Sequence, residues 1–169
     1  SLPSLPPGDF PMMPAEDLQH SFALEAGALA RIIDKTRFAI STEETRYYLN
    51  GIHLHAADEK GRKTLRAVAT DGHRLALSEC DLPDGAAGMP AVIVPRKTVQ
   101  EARRLLEDGD DDVQISVSDG KIRFGFGRAV LTSKLIDGSF PDYERVIPRG
   151  NEKLMSVENK RFAEAVDRV

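Results

Sequence analysis

The apolar residues of SFALEAGALARIIDKTRFAI, residues 21–40, change their spacing partway along the stretch. Phe22 and Leu24 alternate with other residues, which is the two-residue period of a strand with one buried face. From Leu29 onward the apolar side chains recur every three or four residues, which predicts a helix over 27–40. Because a strand leads directly into a helix, the sequence predicts a mixed architecture of sheets and helices.

The same order of elements is predicted twice along the chain. After the first helix, alternating apolar residues predict three strands, over 47–57, 64–70 and 73–80. Asp71 and Gly72 are predicted to form a two-residue hairpin turn between the last two of these strands, since glycine accepts the positive φ of such turns. The pattern then restarts with a strand, a helix that Pro95 opens and three strands, over 91–94, 95–107, 113–117, 121–126 and 129–135. We therefore predict an α+β fold of two β-α-β-β-β halves, with both helices on one face of antiparallel sheets.

Composition excludes several classes of protein. The chain has 169 residues and a formal net charge of −4, so a uniformly basic nucleic-acid-binding surface is excluded, although a separate basic face is not. Its one cysteine, Cys80, excludes an intrachain disulfide framework and a cysteine-rich zinc site, which fits a reducing cytosol. No apolar run approaches the ~20 residues that cross a membrane.

The positive charges of the predicted helices are separated from the acidic residues. The basic residues are Arg31, Lys35 and Arg37 in the first helix and Arg96, Lys97, Arg103 and Arg104 in the second. Acidic residues concentrate in loops, including the predicted acidic loop over 108–112. This separation predicts a basic helical face that suits contact with duplex phosphates without reading sequence. An ordinary solvated helix face is the alternative interpretation.

Two clusters suggest chemistry, and each has a simpler explanation. Asp71 and His73 could act as a general base with its orienting partner, but Asp-Gly is also what a hairpin turn requires. His53 and His55 share one face of a predicted strand and could bind a metal, but solvent-facing histidines are the simpler interpretation.

Both ends of the chain suggest that it belongs to a series of domains. Residues 1–14 are rich in proline and are expected to form an extended linker. The sequence GDFP at 8–11 recurs as GSFP at 138–141, and roughly matching segments follow each copy at a nearly constant offset. A helix is predicted to begin near Asn159, with Asn159 as its N-cap. The repeat favours a tandem array of domains, and chance similarity between two linkers is the alternative.

Four motifs resemble those of one family. They are RYYLNG at 46–51, ATDGHRLA at 69–76, VPRK at 94–97 and TSKLIDGSFPDY at 132–143. Together they are similar to the beta subunits of bacterial DNA polymerase III, the sliding clamps, and specifically to the middle of three domains that share one shape. The resemblance implies a linker from the first clamp domain at 1–18, the middle domain at 19–148 and the truncated start of the third at 149–169.

The resemblance also implies a function without catalysis and without a cofactor. Such a protein is expected to be cytoplasmic and to form a ring homodimer that encircles duplex DNA and slides without sequence specificity. It tethers the polymerase III alpha subunit, the clamp loader and other proteins that carry a clamp-binding motif. The part represented by this chain is expected to be monomeric, because it lacks the first and third domains that close the ring and the C-terminal tail that completes the pocket.

The resemblance assigns two sets of residues. The DNA-facing residues would be Arg31, Lys35, Tyr47, Tyr48, Arg96, Lys97, Arg103 and Arg104. The peptide-binding pocket would be formed by Leu49, Thr70, Gly72, His73, Arg74, Leu75, Pro141 and Val146. Two other functions remain as alternatives: a small hydrolase or isomerase that uses Asp71 and His73, and a stand-alone peptide-binding adaptor.

Overall fold

A computed structural model describes residues 18–106, 112–127 and 129–169. Most of the predicted linker and of the predicted acidic loop lies outside these residues. The strands of the described part are His20–Leu24 (β1), Gly51–Glu59 (β2), Arg62–Thr70 (β3), Leu75–Asp81 (β4), Val92–Pro95 (β5), Val113–Val117 (β6), Lys121–Gly125 (β7) and Val130–Lys134 (β8). The helices are Ala26–Thr36 (α1), Arg96–Leu105 (α2) and Asn159–Val166 (α3). The predicted order of two β-α-β-β-β halves is confirmed.

The strands form two antiparallel four-stranded sheets, and each sheet mixes the two halves. The orders are β1-β6-β7-β8 and β4-β3-β2-β5. The first strand of each half therefore pairs with the hairpins of the other half, β1 with β6 and β5 with β2. Because of this exchange, neither half has a complete sheet of its own.

Both helices pack side by side on the β4-β3-β2-β5 sheet, as predicted. α1 contacts β3 and β4, α2 contacts β2 and β5, and the two helices contact each other. The apolar side of α1 is buried, with Ile32 only 2% exposed, in a core shared by both sheets that includes fully buried Leu65 and Ile115. At the end of α1 the Thr36 hydroxyl donates a hydrogen bond to the Ile32 carbonyl, 2.7 Å away. The chain continues as a short 3₁₀ turn, Arg37–Ala39, so the α-helix is shorter than predicted.

The start of β2 differs from the prediction. Tyr47–Leu49 form a 3₁₀ turn, and the strand begins only at Gly51. Gly51 pairs with Pro95, and a Cβ at this position would collide with the Val94 carbonyl. A glycine thus permits the close approach of β2 and β5, which an alternating pattern of apolar residues does not reveal.

Three smaller differences concern turns and ends. The connection between β3 and β4 has four residues, 71–74, because Thr70 pairs with Leu75, so the predicted two-residue turn is wrong. α3 begins at Asn159, but its N-cap is Glu158, and its side chains are exposed. Within the described part of the chain, no helix is both long and apolar enough to cross a membrane.

Candidate functional site

A cleft of about 420 Å³ lies beside the loop that joins β3 to β4. Every residue that the resemblance assigned to a peptide pocket lines it: Leu49, Thr70, Gly72, His73, Arg74, Leu75, Pro141 and Val146. Four further lining residues were not predicted for the cleft: Arg46, Tyr48, Asp142 and Tyr143. The sequence motifs contain these four residues, but nothing in their spacing indicates that they share a cleft.

The 71–74 loop is held by hydrogen bonds to its own backbone. The Asp71 carboxylate accepts from the backbone N–H groups of His73, at 2.9 Å, and Arg74, at 3.0 Å. The Thr70 hydroxyl accepts from the Gly72 N–H and donates to the Arg74 carbonyl, 2.7 Å away. These contacts make the loop a preformed edge of the cleft.

Gly72 is required by the shape of the loop. Its φ is +88°, a conformation that residues with a side chain rarely adopt. A Cβ would also approach the Arg46 guanidinium, which covers the loop and is paired with Glu43 through two contacts, of 2.8 and 2.6 Å. The loop and the 3₁₀ turn that begins at Tyr47 are thereby joined at one end of the cleft.

The hydrolase or isomerase hypothesis has no support in this geometry. The backbone N–H groups of His73 and Arg74, together with the Arg74 side chain, lower the pKa of Asp71 to about 2. A carboxylate whose charge is stabilised by its own loop is a weak proton acceptor. Asp71 therefore caps the loop, and His73 is exposed on the cleft side.

The cleft has an apolar base and polar edges. Leu49 is buried at the base with 3% exposure, and Leu75 is half-buried, whereas Val146 is 67% exposed on the opposite side. An apolar base with a few polar groups around it is the arrangement that binds small ligands or the apolar anchors of a short peptide.

The segment that follows β8 forms the wall of the cleft opposite the loop. Phe140 stacks on His53 with 4.6 Å between ring centroids and an angle of 4°, and the Tyr143 hydroxyl lies 3.0 Å from Nε2 of His55. The expectation that both histidines face solvent is therefore wrong, because the returning segment covers them. The described residues contain no group of three or more His, Cys, Asp or Glu side chains that could hold a metal ion.

The residues assigned to DNA contact fall in two places: the basic residues lie on α1 and α2, and the two tyrosines lie on the 3₁₀ turn before β2. Arg31 and Lys35 on α1 and Arg96 and Lys97 on α2 are exposed, and none of them forms an ion pair with a described residue.

Two of the assigned arginines on α2 form ion pairs. Nε of Arg103 lies 3.0 Å from the Asp34 carboxylate and links the two helices. Arg104 pairs with Glu101 on its own helix, at 2.8 Å. The positive charge of this face therefore comes mainly from the other four side chains.

Tyr47 and Tyr48 lie on the 3₁₀ turn before β2, and the Asn50 carbonyl after this turn accepts a hydrogen bond from the Arg96 N–H at the start of α2. Their rings meet edge to face with 5.8 Å between centroids, beside Gly138. Tyr48 lines the cleft, and Tyr47 is 53% exposed. Tyr48 thus borders the cleft, and the assignment of both tyrosines to DNA contact stays a prediction.

Paired helices on one face of two antiparallel sheets are shared with solved sliding clamps. The crystal structure of the Caulobacter crescentus beta sliding clamp superposes with a TM-score of 0.95 and 61% identity, over 98% of this chain and 44% of that one. A Bartonella birtlesii clamp, solved bound to griselimycin, has a TM-score of 0.92 and 52% identity, over 98% and 44%. The fold is therefore a clamp domain fold.

Sequence comparison gives the family. The family model for the central domain of the DNA polymerase III beta subunit matches residues 23–142. The beta sliding clamp of Caulobacter vibrioides is 60% identical over 169 residues, which are all of this chain and 45% of that protein, and the clamp of Pseudomonas aeruginosa is 43% identical over 168 residues, 45% of its length. The chain belongs to the DNA polymerase III beta subunit family. It spans about half the length of these relatives, and the domain boundaries at 18 and 148 stay predictions.

Proposed function

We propose that this chain is the central part of a processivity clamp, and that the cleft beside the 71–74 loop binds short peptides from replication proteins. One observation carries the proposal: residues from separate stretches of chain, at 49, 70–75, 141 and 146, converge on a single cleft with an apolar base. The polymerase III alpha subunit, the clamp loader and other proteins with clamp-binding motifs are the proposed partners.

Peptide binding fits the energetics of the cleft. Burying one leucine-sized anchor against Leu49 and Leu75 contributes roughly 1.5–3 kcal/mol. Arg46, His73 and Arg74 at the edges supply donors that orient the peptide and favour acidic or carbonyl-rich sequences. The loop is already fixed by its own hydrogen bonds, so little ordering is needed when the peptide binds.

We propose that the helix face contacts duplex DNA without reading its sequence. Arg31, Lys35, Arg96 and Lys97 project from two adjacent helices and leave their charges available to phosphates. Contacts of this kind give Kd values of about 10⁻⁴ to 10⁻⁶ M at physiological salt and weaken steeply as salt increases. Retention on DNA would then depend on closure of a ring homodimer. The protein is proposed to be cytoplasmic and not an enzyme, and this chain alone is proposed to be a monomer.

The test is a peptide titration of the intact clamp that we propose contains this chain. Leu75→Asp should weaken a clamp-binding peptide from a polymerase by roughly 10- to 100-fold, because it removes an apolar wall and introduces a charge. Leu77→Asp is the matched control: it lies on the same strand, two residues further along and equally half-buried, but outside the cleft.

The comparison requires that both variants keep the circular dichroism spectrum of the parent. Duplex binding should change to the same small extent in both variants, since Leu75 and Leu77 both lie near Arg31 and Lys35, and a difference confined to peptide binding identifies the cleft. Equal peptide affinity for the parent and a folded Leu75→Asp variant would show that peptides bind elsewhere.

A further inference from the structure

One row of side chains crosses the sheet on the face opposite the helices. His55 on β2 pairs with Arg66 on β3, and Arg66 pairs with Glu79 on β4. Their neighbours along the strands, such as Leu54 and Leu65, belong to the core beneath the helices. Because successive side chains of a strand alternate between faces, these three lie together on the outer face.

The segment after β8 runs across this face and contacts it at several points. Phe140 stacks on His53, the Tyr143 hydroxyl meets His55, and the Glu144 carboxylate lies 3.4 Å from the Arg66 guanidinium. Tyr143 is only 6% exposed, although it lies between exposed Pro141 and Val146. A buried tyrosine thus anchors a stretch whose neighbouring side chains form the cleft wall.

The direction of the hydrogen bond at Tyr143 follows from its partner. Nδ1 of His55 lies 3.0 Å from the Ala56 carbonyl, which can only accept, so Nδ1 carries the proton. In this tautomer Nε2 is the acceptor, and the Tyr143 hydroxyl donates to it. The Arg66 guanidinium contacts the same segment one residue further on, where it donates to the Glu144 carboxylate at 3.4 Å. Two consecutive residues of the segment, Tyr143 and Glu144, therefore bond to two side chains of one row on the sheet, His55 and Arg66.

Arg66 is itself held in place on the sheet. It is 9% exposed, its Nε donates to Glu79 at 2.9 Å, and its Nη2 donates to Glu59. Burial alone would lower the pKa of Arg66, but the neighbouring Tyr143, Glu59 and Glu79 side chains outweigh it and raise the pKa. Arg66 is a fixed positive charge rather than a mobile surface side chain.

We propose that the hydrogen bonds from Tyr143 to His55 and from Arg66 to Glu144, together called the relay, fix the 141–146 wall of the cleft, which makes these four side chains positioning residues for peptide binding. The wall has no strand pairing, so these side-chain contacts set the distance between Val146 and the 71–74 loop. The part of this inference that concerns peptide affinity rests on the proposed function, and the part that concerns the wall does not.

The experiment combines two readouts on the intact clamp. Hydrogen exchange of segments that cover 140–147, without peptide, reports how often the wall opens, since the Val146 N–H is bonded to the Tyr143 carbonyl. Titration with a polymerase-derived clamp-binding peptide reports affinity. Tyr143→Phe removes one hydroxyl and keeps the ring, and His55→Leu removes the acceptor.

Each single variant should speed exchange over 140–147 and weaken the peptide by roughly 2- to 10-fold, the effect of one lost hydrogen bond. The double variant should lose no more than the larger single change, because both substitutions break the same bond. His55→Gln, whose amide oxygen can accept from Tyr143, should restore most of the loss. Exchange over Lys121–Gly125, in the other sheet, should stay constant.

Tyr47→Phe is the matched control, since it removes the hydroxyl of an exposed tyrosine next to the cleft. Three outcomes would each overturn the proposal. Tyr143→Phe could show the same hydrogen exchange and peptide affinity as the parent, the double variant could show additive losses, or exchange could become faster without weaker peptide binding. If the parent clamp binds no peptide, the proposed function fails, and the exchange data alone decide whether the relay holds the wall.

Discussion

Acid should destabilise this chain through His53. The His53 ring is stacked under Phe140 and lies 4.8 Å from the His55 ring, and its Nδ1 is buried without a hydrogen-bond partner among the described residues. Burial, and secondarily the neighbouring His55, lower the pKa of His53 from 6.5 to about 4. The folded state therefore resists a proton that the unfolded state accepts.

The sign and the size follow from this difference in pKa. Between pH 6.5 and about 4 the unfolded chain binds a proton at His53 that the folded chain does not. The stability that depends on an uncharged His53 is thus fully present above pH 6.5. The free energy of unfolding falls as the pH drops through this window. A shift of this size corresponds to roughly 3 kcal/mol, and partial exposure of the ring reduces the expected loss to roughly 2–3 kcal/mol.

The assay is urea unfolding of the chain and of His53→Phe at several pH values from 7.5 to 4. Phenylalanine keeps an aromatic ring against Phe140 but binds no proton. The loss of unfolding free energy between the two ends of this range should be smaller in the variant by roughly 2–3 kcal/mol. Carboxylates also titrate near pH 4, but they do so equally in both proteins.

His73→Phe provides the control, because this exposed loop residue is also a histidine but lacks the stacked, buried environment. It should keep the full acid-dependent loss of the parent. If the parent and His53→Phe lost the same free energy between pH 7.5 and 4, the buried ring would not be the origin of the acid sensitivity.

Three further substitutions test other parts of the fold by urea unfolding at neutral pH. Gly72→Ala should cost about 1–2 kcal/mol, since alanine must adopt φ near +88° and displace Arg46; an unchanged unfolding midpoint would contradict the role given to this glycine. Leu65→Ala should cost about 2–5 kcal/mol because the side chain is fully buried in the shared core, and a loss below about 0.5 kcal/mol would contradict that placement. In the parent, the stability that the Asp71 carboxylate contributes is lost as the pH falls from about 4 towards 2, where the carboxylate takes up a proton. Asp71→Asn should already lack this contribution at neutral pH. The same dependence of unfolding free energy on pH in the variant and the parent would show that Asp71 does not cap the loop.

Apolar spacing predicted most of the strands and helices because it reports which face of an element is buried. It does not report which strand pairs with which. β1 was correctly predicted as a strand from Phe22 and Leu24. Its partner, β6, follows it in the sequence only after α1, α2 and the four strands β2 to β5. The exchange of β1 and β5 between halves is a property of tertiary packing, and no local pattern in either half contains it.

The loop at 71–74 shows how a correct residue preference can give a wrong turn. Asp-Gly favours a two-residue hairpin when the flanking residues continue the ladder. Here the Asp71 carboxylate binds two backbone N–H groups and the Thr70 hydroxyl binds a third, so the loop satisfies its own donors. Strand pairing resumes only at Leu75, whereas the prediction started the strand at residue 73. Leu75 is therefore the first residue of β4 and borders the cleft.

The relay at Tyr143 lies beyond sequence patterns for a geometric reason. His55 and Tyr143 are 88 positions apart, and Arg66 and Glu144 are 78 apart, so no spacing rule connects them. The antiparallel register of β2, β3 and β4 aligns His55, Arg66 and Glu79 in one row, which offers the returning segment an acceptor at His55 and a donor at Arg66. An arginine in the middle of β3 would otherwise contradict a buried strand. Its charge is tolerated there because carboxylates from β2, β4 and the returning segment surround it, and the same contacts bring the cleft wall to the sheet.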